Sequence, residues 1–198
     1  MSNPDAEAFL ARVLAKIDEI PRTGFGRVSW RYEDRPTTEG VGVKSGIELD
    51  VDTVVARIMD VMDYPENVKF VQSCTILDQP SPSEITYIQR MKLPAIGGIQ
   101  VALHLEDLGE RDGYRVVAWN QDDEQTQALN PKQGGARTAY NLGAWLIKPT
   151  ELAYALSAAP IKKDVGSIKY TLMIKGSEAT ATTALSSNID ALIAWSQR

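Results

Sequence analysis

Few side chains in this sequence have the type and spacing that catalysis requires. His104 is the only histidine and Cys74 the only cysteine, so a zinc site built from several such residues has no ligand set. No serine or cysteine lies in a motif that activates a nucleophile. The three carboxylates at 122–124 are adjacent in a polar stretch, which indicates solvated charges rather than an acid and base pair. The sequence therefore favours binding over chemistry.

One segment with strand periodicity carries the polar candidates for ligand contact. In the strand expected over 99–108, alternation places Gln100, Ala102 and His104 on one face and four apolar residues on the other, Ile99, Val101, Leu103 and Leu105. Hydrophobicity alone favours the apolar face as the inward one. For His104, a structural role beside a neighbour or solvent ranks first, contact with a ligand head group second, and catalysis last.

Periodicity also predicts the elements that must position these residues. Helices are expected over Pro4–Glu19 and Thr53–Met62, and a hairpin of strands over Arg27–Asp34 and Val41–Leu49. A last helix begins at Asp164. Further strands are predicted near 71–79, 84–93, 99–108, 113–121, 136–147 and 151–158. The longest loop is expected at 122–135. Gly176 is a candidate break or hinge within the last helix. This order predicts an α+β fold, a curved antiparallel sheet closed by a terminal helix.

Composition narrows the class of protein. At 198 residues with 43% hydrophobic and 24% charged residues, the chain has the proportions of one globular domain. Its net charge of −5 argues against a nucleic-acid partner, which needs clustered lysine and arginine. The first twenty residues lack the apolar core of a signal peptide, and a single cysteine suits a reducing compartment. We therefore expect a cytoplasmic protein.

Three short motifs carry a resemblance to a known family. They are Asp164-Val-Gly-Ser-Ile-Lys, the segment from Arg137 to Pro149, and Tyr64–Val68 following a helix. The first resembles the entry to the last helix of START domains (steroidogenic acute regulatory protein-related lipid transfer), in the helix-grip or SRPBCC superfamily, with Lys169 where proline is usual. The second is similar to that family's strand from an arginine to a proline-ended turn. The resemblance covers roughly residues 25–198.

This resemblance implies a helix-grip fold with an internal hydrophobic cavity. Residues 1–22 would form an N-terminal helix and residues 23–198 the ligand-binding domain. Against hydrophobicity alone, the resemblance favours the face of His104 as inward, and it places Trp145 and Tyr154 near the cavity wall. The implied ligand-binding residues are Gln100, Ala102, His104, Arg137, Trp145, Tyr154, Leu172 and Met173.

Two details of this implied site depend on single residues. Arg137 shares the face of Trp145 only if its strand has no bulge, and a surface salt bridge is its alternative role. The buried arginine and acid pair of many family members is missing, because Gly98 and Ile88 stand at its two positions. Sterol specificity therefore does not transfer with the resemblance.

The implied function is binding of a lipid, sterol or isoprenoid and its transfer between membranes. The terminal helix and the 122–135 loop would gate the cavity, with transient membrane contact. An enzyme of the same superfamily, similar to a polyketide cyclase or aromatase, is the alternative, with His104, Arg137 and Tyr154 as acid and base groups. A regulatory module that only senses a ligand is a third interpretation. We expect no cofactor and no metal.

Overall fold

One sheet of eight strands dominates the computed structural model, which describes residues 3–33, 35–94 and 97–198, without the side chains of 176–182. The strands run in the order β1-β2-β8-β7-β6-β5-β4-β3, and neighbours in this order are antiparallel. A short parallel pairing also joins β5 to β7. The strands are β1 (Phe25–Trp30), β2 (Glu39–Ser45), β3 (Val71–Ser81), β4 (Glu84–Leu93), β5 (Gly97–Arg111), β6 (Tyr114–Gln121), β7 (Ala136–Lys148) and β8 (Glu151–Pro160).

Helices flank this sheet at both ends of the chain and between strands. Asn3 caps the first helix by accepting a hydrogen bond from the Asp5 backbone, and the last helix is 30 residues long. A 3-10 turn, Val61–Asp63, precedes α3. The α-helices are α1 (Pro4–Ile17), α2 (Val51–Met59), α3 (Tyr64–Asn67), α4 (Asp123–Ala128), α5 (Pro131–Gly134), α6 (Lys162–Val165) and α7 (Ser167–Ser196).

Both faces of the sheet are apolar and each is covered by helix. We call the face towards α7 the inner face and the face towards α1 the outer face. On the inner face, strand residues such as Leu103 and Trp145 pack with Ile58 of α2 and Ile189 of α7. The outer-face cluster joins α1 to β2 and β6–β8, and its members are Phe9, Leu10, Val13, Ile17, Ile20, Val41, Val43, Tyr114, Val116, Leu142, Ala144, Leu146, Ala153 and Ala155.

The expected α+β helix-grip architecture, a curved antiparallel sheet with a C-terminal helix, is confirmed. The expected hairpin of the first two strands is present as the β1–β2 pair. Within the described residues, no helix combines the length and apolar character needed to cross a bilayer.

The segment 122–135 differs from the expected long loop, because it folds into α4 and α5. Asp122 caps α4 by accepting from the Gln125 backbone, and the buried Thr126 bonds both backbone groups of Ala102 on β5. Asn130 caps α5 in the same way. These caps stabilise two short helices that the polar composition of the segment did not predict. Further along the chain, α7 continues through Gly176 as one element, and the hinge there stays a prediction.

Candidate functional site

Three aromatic side chains come together at the centre of the inner face. Trp119 of β6, Trp145 of β7 and Tyr154 of β8 lie on neighbouring strands, with Trp145 directly opposite Tyr154. The ring centroids of Trp145 and Tyr154 are 4.3 Å apart, and Trp119 stacks on Tyr154 at 5.6 Å. Such a cluster offers a large, rigid apolar surface with polar groups at its edges.

Gly143 makes this arrangement sterically feasible. A Cβ atom added at Gly143 would lie 1.9 Å from Cζ2 of Trp119, so the indole packs directly over the backbone of β7. The indole Nε1 donates a hydrogen bond of 2.9 Å to Oδ1 of Asn141. A small residue and an amide two positions apart on β7 therefore fix the orientation of Trp119.

The inner face is packed less completely than the outer face. Trp119, Trp145 and Tyr154 keep 8%, 9% and 8% of their surface accessible to solvent, whereas no member of the outer cluster exceeds 4%. Cys74 and Asn141 on the same inner face each keep 7%. A core that is fully packed leaves no such accessible fraction on its central side chains. The three aromatic side chains therefore keep slightly more accessible surface than the members of the outer cluster do.

The hydroxyl and thiol groups on this inner face are neutral at physiological pH. Burial raises the pKa of the Tyr154 hydroxyl well above its usual value, and the neighbouring Asn188 of α7 partly opposes this rise. Burial likewise raises the pKa values of Tyr64 and Tyr87, and it raises the pKa of the Cys74 thiol to about 12. The arrangement suits apolar and hydrogen-bonding contacts with a ligand rather than nucleophilic attack by the thiol.

Gln100, Ala102 and His104 do not lie on the inner face, so their expected inward position is wrong. The apolar residues of β5, including Val101 and Leu103, belong to the inner cluster instead. Gln100 Nε2 donates hydrogen bonds to two backbone carbonyls that flank α5. The backbone N–H of Ala102 donates a hydrogen bond to a side chain of α4. Alternation of hydrophobicity predicted this register correctly, and the family alignment was displaced by one residue.

His104 lies on the outer face among hydrophilic neighbours. Its Nδ1 is 3.2 Å from Thr86 Oγ1, and its Nε2 is 3.5 Å from a Glu84 carboxylate oxygen. The sheet separates it from Tyr154 on the inner face. The acid and base set proposed for a cyclase-like enzyme, His104 with Arg137 and Tyr154, is therefore not assembled. In the described part of the chain, no group of three or more potential metal ligands comes together either.

Arg137 is committed to an ion pair. A shift in the β7–β8 register between Thr138 and Tyr140 inserts one residue, which moves Arg137 off the face of Trp145. Its guanidinium donates to both carboxylate oxygens of Asp164 in α6, at 2.8 and 3.2 Å. This contact lowers the pKa of Asp164 below its usual value. Arg137 thus anchors the start of the terminal helix and is not free to bind an anionic ligand.

The first turns of α7 do not close over the interior as expected. Leu172 is 66% exposed, so its predicted inward position is wrong. Ile168, one turn earlier in the helix, is 81% exposed. Met173 is half-buried. The stripe of α7 that does pack on the sheet begins further along the chain, at Leu185. The first turns of α7 therefore expose the apolar side chains of Ile168 and Leu172 to solvent.

Trp145 and Tyr154 lie on the inner face, and their expected place on a cavity wall stays a prediction; two further residues of this group were missed. Trp119 and Asn141 complete the group through contacts between strands that are far apart in sequence. Alternation along β6 placed Trp119 beside Val117 on one face, which was the available signal. The bond to Asn141 has no local signature.

A separate groove of about 780 Å³ lies on the outer side, between α1 and the β5–β6 hairpin. Its walls include Glu7 and Arg111, which pair with each other at 2.9 Å, and the helix residues Leu10 and Leu14. It contains no part of the aromatic cluster. It nevertheless offers a second location where a small hydrophobic molecule could bind in place of the inner face. Tyr114, which lines this groove, distinguishes the two locations.

Solved structures with this architecture are numerous, although no protein-family model and no curated protein sequence matches the chain. A STAR-related lipid transfer protein from Xanthomonas axonopodis superposes with a TM-score of 0.72 at 17% identity, covering 90% of this chain and 96% of that chain. Human STARD10 gives 0.69 at 14% identity, with 100% and 83% covered. The Zhui aromatase/cyclase from a Streptomyces species gives 0.51 at 12% identity, with 88% and 94% covered. These likenesses show that the chain has a START-type helix-grip fold.

Proposed function

We propose that this chain, which has a START-type helix-grip fold, binds a hydrophobic small molecule between the inner face of its sheet and α7, and transfers it between membranes. The observation that carries the proposal is the accessible aromatic cluster of Trp119, Trp145 and Tyr154. Apolar surface that remains accessible inside a domain gains roughly 25 cal/mol per Å² when a ligand covers it. The lipid-transfer names of two structural neighbours support the same reading.

Binding at the aromatic cluster predicts a difference between two buried tyrosines. Replacing Tyr154 with leucine should weaken binding of the neutral dye Nile red about fivefold, because a stacked aromatic contact is lost. Tyr114 is the matched control, since it is buried on the outer face and lines the groove beside α1. Fluorescence titration of both variants, with their unfolding followed in parallel, makes the comparison.

The two possible sites give opposite outcomes in this titration. Weaker binding in Tyr154→Leu with unchanged binding in Tyr114→Leu supports the inner face. The reverse pattern would assign the dye to the outer groove and contradict the proposal. Both substitutions remove a buried ring and hydroxyl, so unfolding followed in parallel separates a loss of stability from a loss of binding.

The start of α7 supports contact with a membrane surface. Residues 161–176 contain four lysines and one aspartate, a net charge of +3, in a chain whose overall charge is −5. The aspartate, Asp164, is neutralised by Arg137. Ile168 and Leu172, one helical turn apart, lie exposed among these lysines. A basic segment with exposed aliphatic side chains suits an anionic bilayer surface.

Membrane contact at this segment predicts a loss of vesicle binding. We expect the double change Ile168→Asp and Leu172→Asp to lower partition onto phosphatidylserine-containing vesicles about tenfold or more, because apolar insertion is replaced by charge repulsion. Leu77→Asp is the control, since Leu77 is an exposed aliphatic residue on β3. Vesicle sedimentation measures the partition. Equal losses in Leu77→Asp and in the double variant would remove the α7 segment from the membrane contact.

A further inference from the structure

Asn141 occupies a defined orientation at the edge of the aromatic cluster. An indole Nε1–H can only donate, so the group it bonds on Asn141 must be the amide oxygen. This chemistry fixes the orientation of the amide, and it turns the Nδ2 group away from Trp119. Among the described residues, the structure gives that NH₂ group no hydrogen-bond partner.

The Asn141 side chain lies on the inner face of the sheet, beside the aromatic cluster. Asn141 lies on the same face of β7 as Gly143 and Trp145, and 7% of its surface is accessible. A polar group that is nearly buried and unpaired costs free energy unless a water molecule or a ligand atom accepts its hydrogen bonds. The donor is therefore available to a ligand that lies over the aromatic cluster.

Among the described residues, the side chains that form the cluster beside Asn141 carry no positive charge that would hold an anion. Trp119, Trp145 and the protonated Tyr154 are neutral. A carboxylate or phosphate on a ligand would lose its hydration here without gaining a counter-charge from these neutral side chains.

We infer that Asn141 selects the ligand class: an uncharged hydrophobic molecule whose polar end is an oxygen that accepts a hydrogen bond, such as a carbonyl or hydroxyl. This inference rests on the proposed function, since it names the ligand of the same inner face. The hydrophobic body covers the aromatic cluster, and the oxygen accepts from Asn141 Nδ2. Trp119 acts as a positioning residue because its bond orients the amide.

Exchange of the donor for an acceptor tests this assignment. Asn141→Asp keeps the size of the side chain and still accepts from Trp119, but at pH 8 it presents a carboxylate oxygen in place of the NH₂ group. A twelve-carbon methyl ketone only accepts hydrogen bonds and should bind at least fivefold more weakly to this variant. The twelve-carbon alcohol can donate instead and should change less than twofold. Both affinities are measured by displacement of Nile red.

Two further variants keep the test interpretable. Asn141→Ala removes the donor without adding charge, and it should weaken ketone and alcohol alike about fivefold while leaving the twelve-carbon alkane unchanged. Asn120→Asp makes the same exchange one strand away on the outer face, and it should alter no affinity.

The outcomes separate the two claims. Selective loss of the ketone in Asn141→Asp supports the assignment. Equal changes for ketone and alcohol, or tight binding of the twelve-carbon carboxylate by the unmodified protein, would overturn it while Nile red binding leaves the proposed function in place. Failure of the unmodified protein to bind Nile red or any of the four compounds would overturn both.

Discussion

Replacement of Glu39 by alanine is expected to lower the free energy of unfolding by about 3–5 kcal/mol. The Glu39 side chain is fully buried on the outer face, where its carboxylate accepts from Arg12 at 2.9 and 3.0 Å and from Arg35 at 3.2 Å. The indole of Trp30 donates to the same carboxylate at 2.9 Å. Alanine at this position would leave the Arg12 guanidinium without its counter-charge and Arg35 with only the exposed Asp5, 3.5 Å away.

Chemical denaturation and amide hydrogen exchange measure this effect. Since Arg12 belongs to α1, we also expect amide protection in that helix to fall first. Glu19→Ala is the matched control, because Glu19 pairs with Lys16 on the exposed surface and should contribute less than about 1 kcal/mol. A loss below about 1 kcal/mol in Glu39→Ala would show that the buried network does not fasten α1 to the sheet.

Replacement of Asp164 by alanine is expected to cost about 3 kcal/mol of stability and to shorten the residence time of a bound ligand. Asp164 accepts three hydrogen bonds from Arg137, two from the guanidinium and one from the backbone N–H at 3.2 Å. The pair joins β7 to α6, which leads directly into α7. Without it, Arg137 keeps a buried charge and the first turns of α7 lose their attachment to the sheet.

Urea denaturation and the dissociation rate of Nile red measure the two parts of this prediction. Asp190→Ala is the control, because Asp190 also belongs to the terminal helix but pairs with Lys44 in a more exposed position. Its loss should change stability by less than about 1 kcal/mol. Equal effects of the two substitutions would contradict the anchoring role of Asp164.

The sign of the pH dependence follows from the same ion pair. The hydrogen bonds from Arg137 lower the pKa of Asp164 in the folded state, so the folded protein holds this carboxylate ionised more strongly than the unfolded chain does. Its stabilisation is therefore complete above the unfolded pKa of about 4 and is lost as the pH falls through the lower folded value. The difference in stability between Asp164→Ala and the unmodified protein should shrink under acid conditions.

Elements with strong local signals could be predicted from the sequence. The strand at 84–93 has the bounds that alternation predicted, and α1 begins at Pro4 as expected. The expected hairpin of the first two strands is present as well, since alternation is regular in both strands. In these cases, hydrophobic periodicity alone determines which side chains are buried.

Errors arose where one residue changes the outcome. An alignment displaced by one position turned Gln100 and His104 inward, although a shift of one residue exchanges the two faces of a strand. The bulge near Thr138 moved Arg137 to the other face, and no local residue pattern announces it. Contacts between distant strands, such as Trp119 with Asn141, depend on the register of the whole sheet and are outside the reach of a local pattern.

Native mass spectrometry of the purified protein, followed by organic extraction, tests the central claim most directly. The account predicts a bound fraction heavier than the chain by the mass of one hydrophobic compound, which the extract then identifies as uncharged and oxygen-containing. Addition of Nile red should displace it in proportion. A protein that shows the mass of the chain alone, and that also fails to bind Nile red at micromolar concentration, would contradict the claim that the inner face is a ligand-binding site.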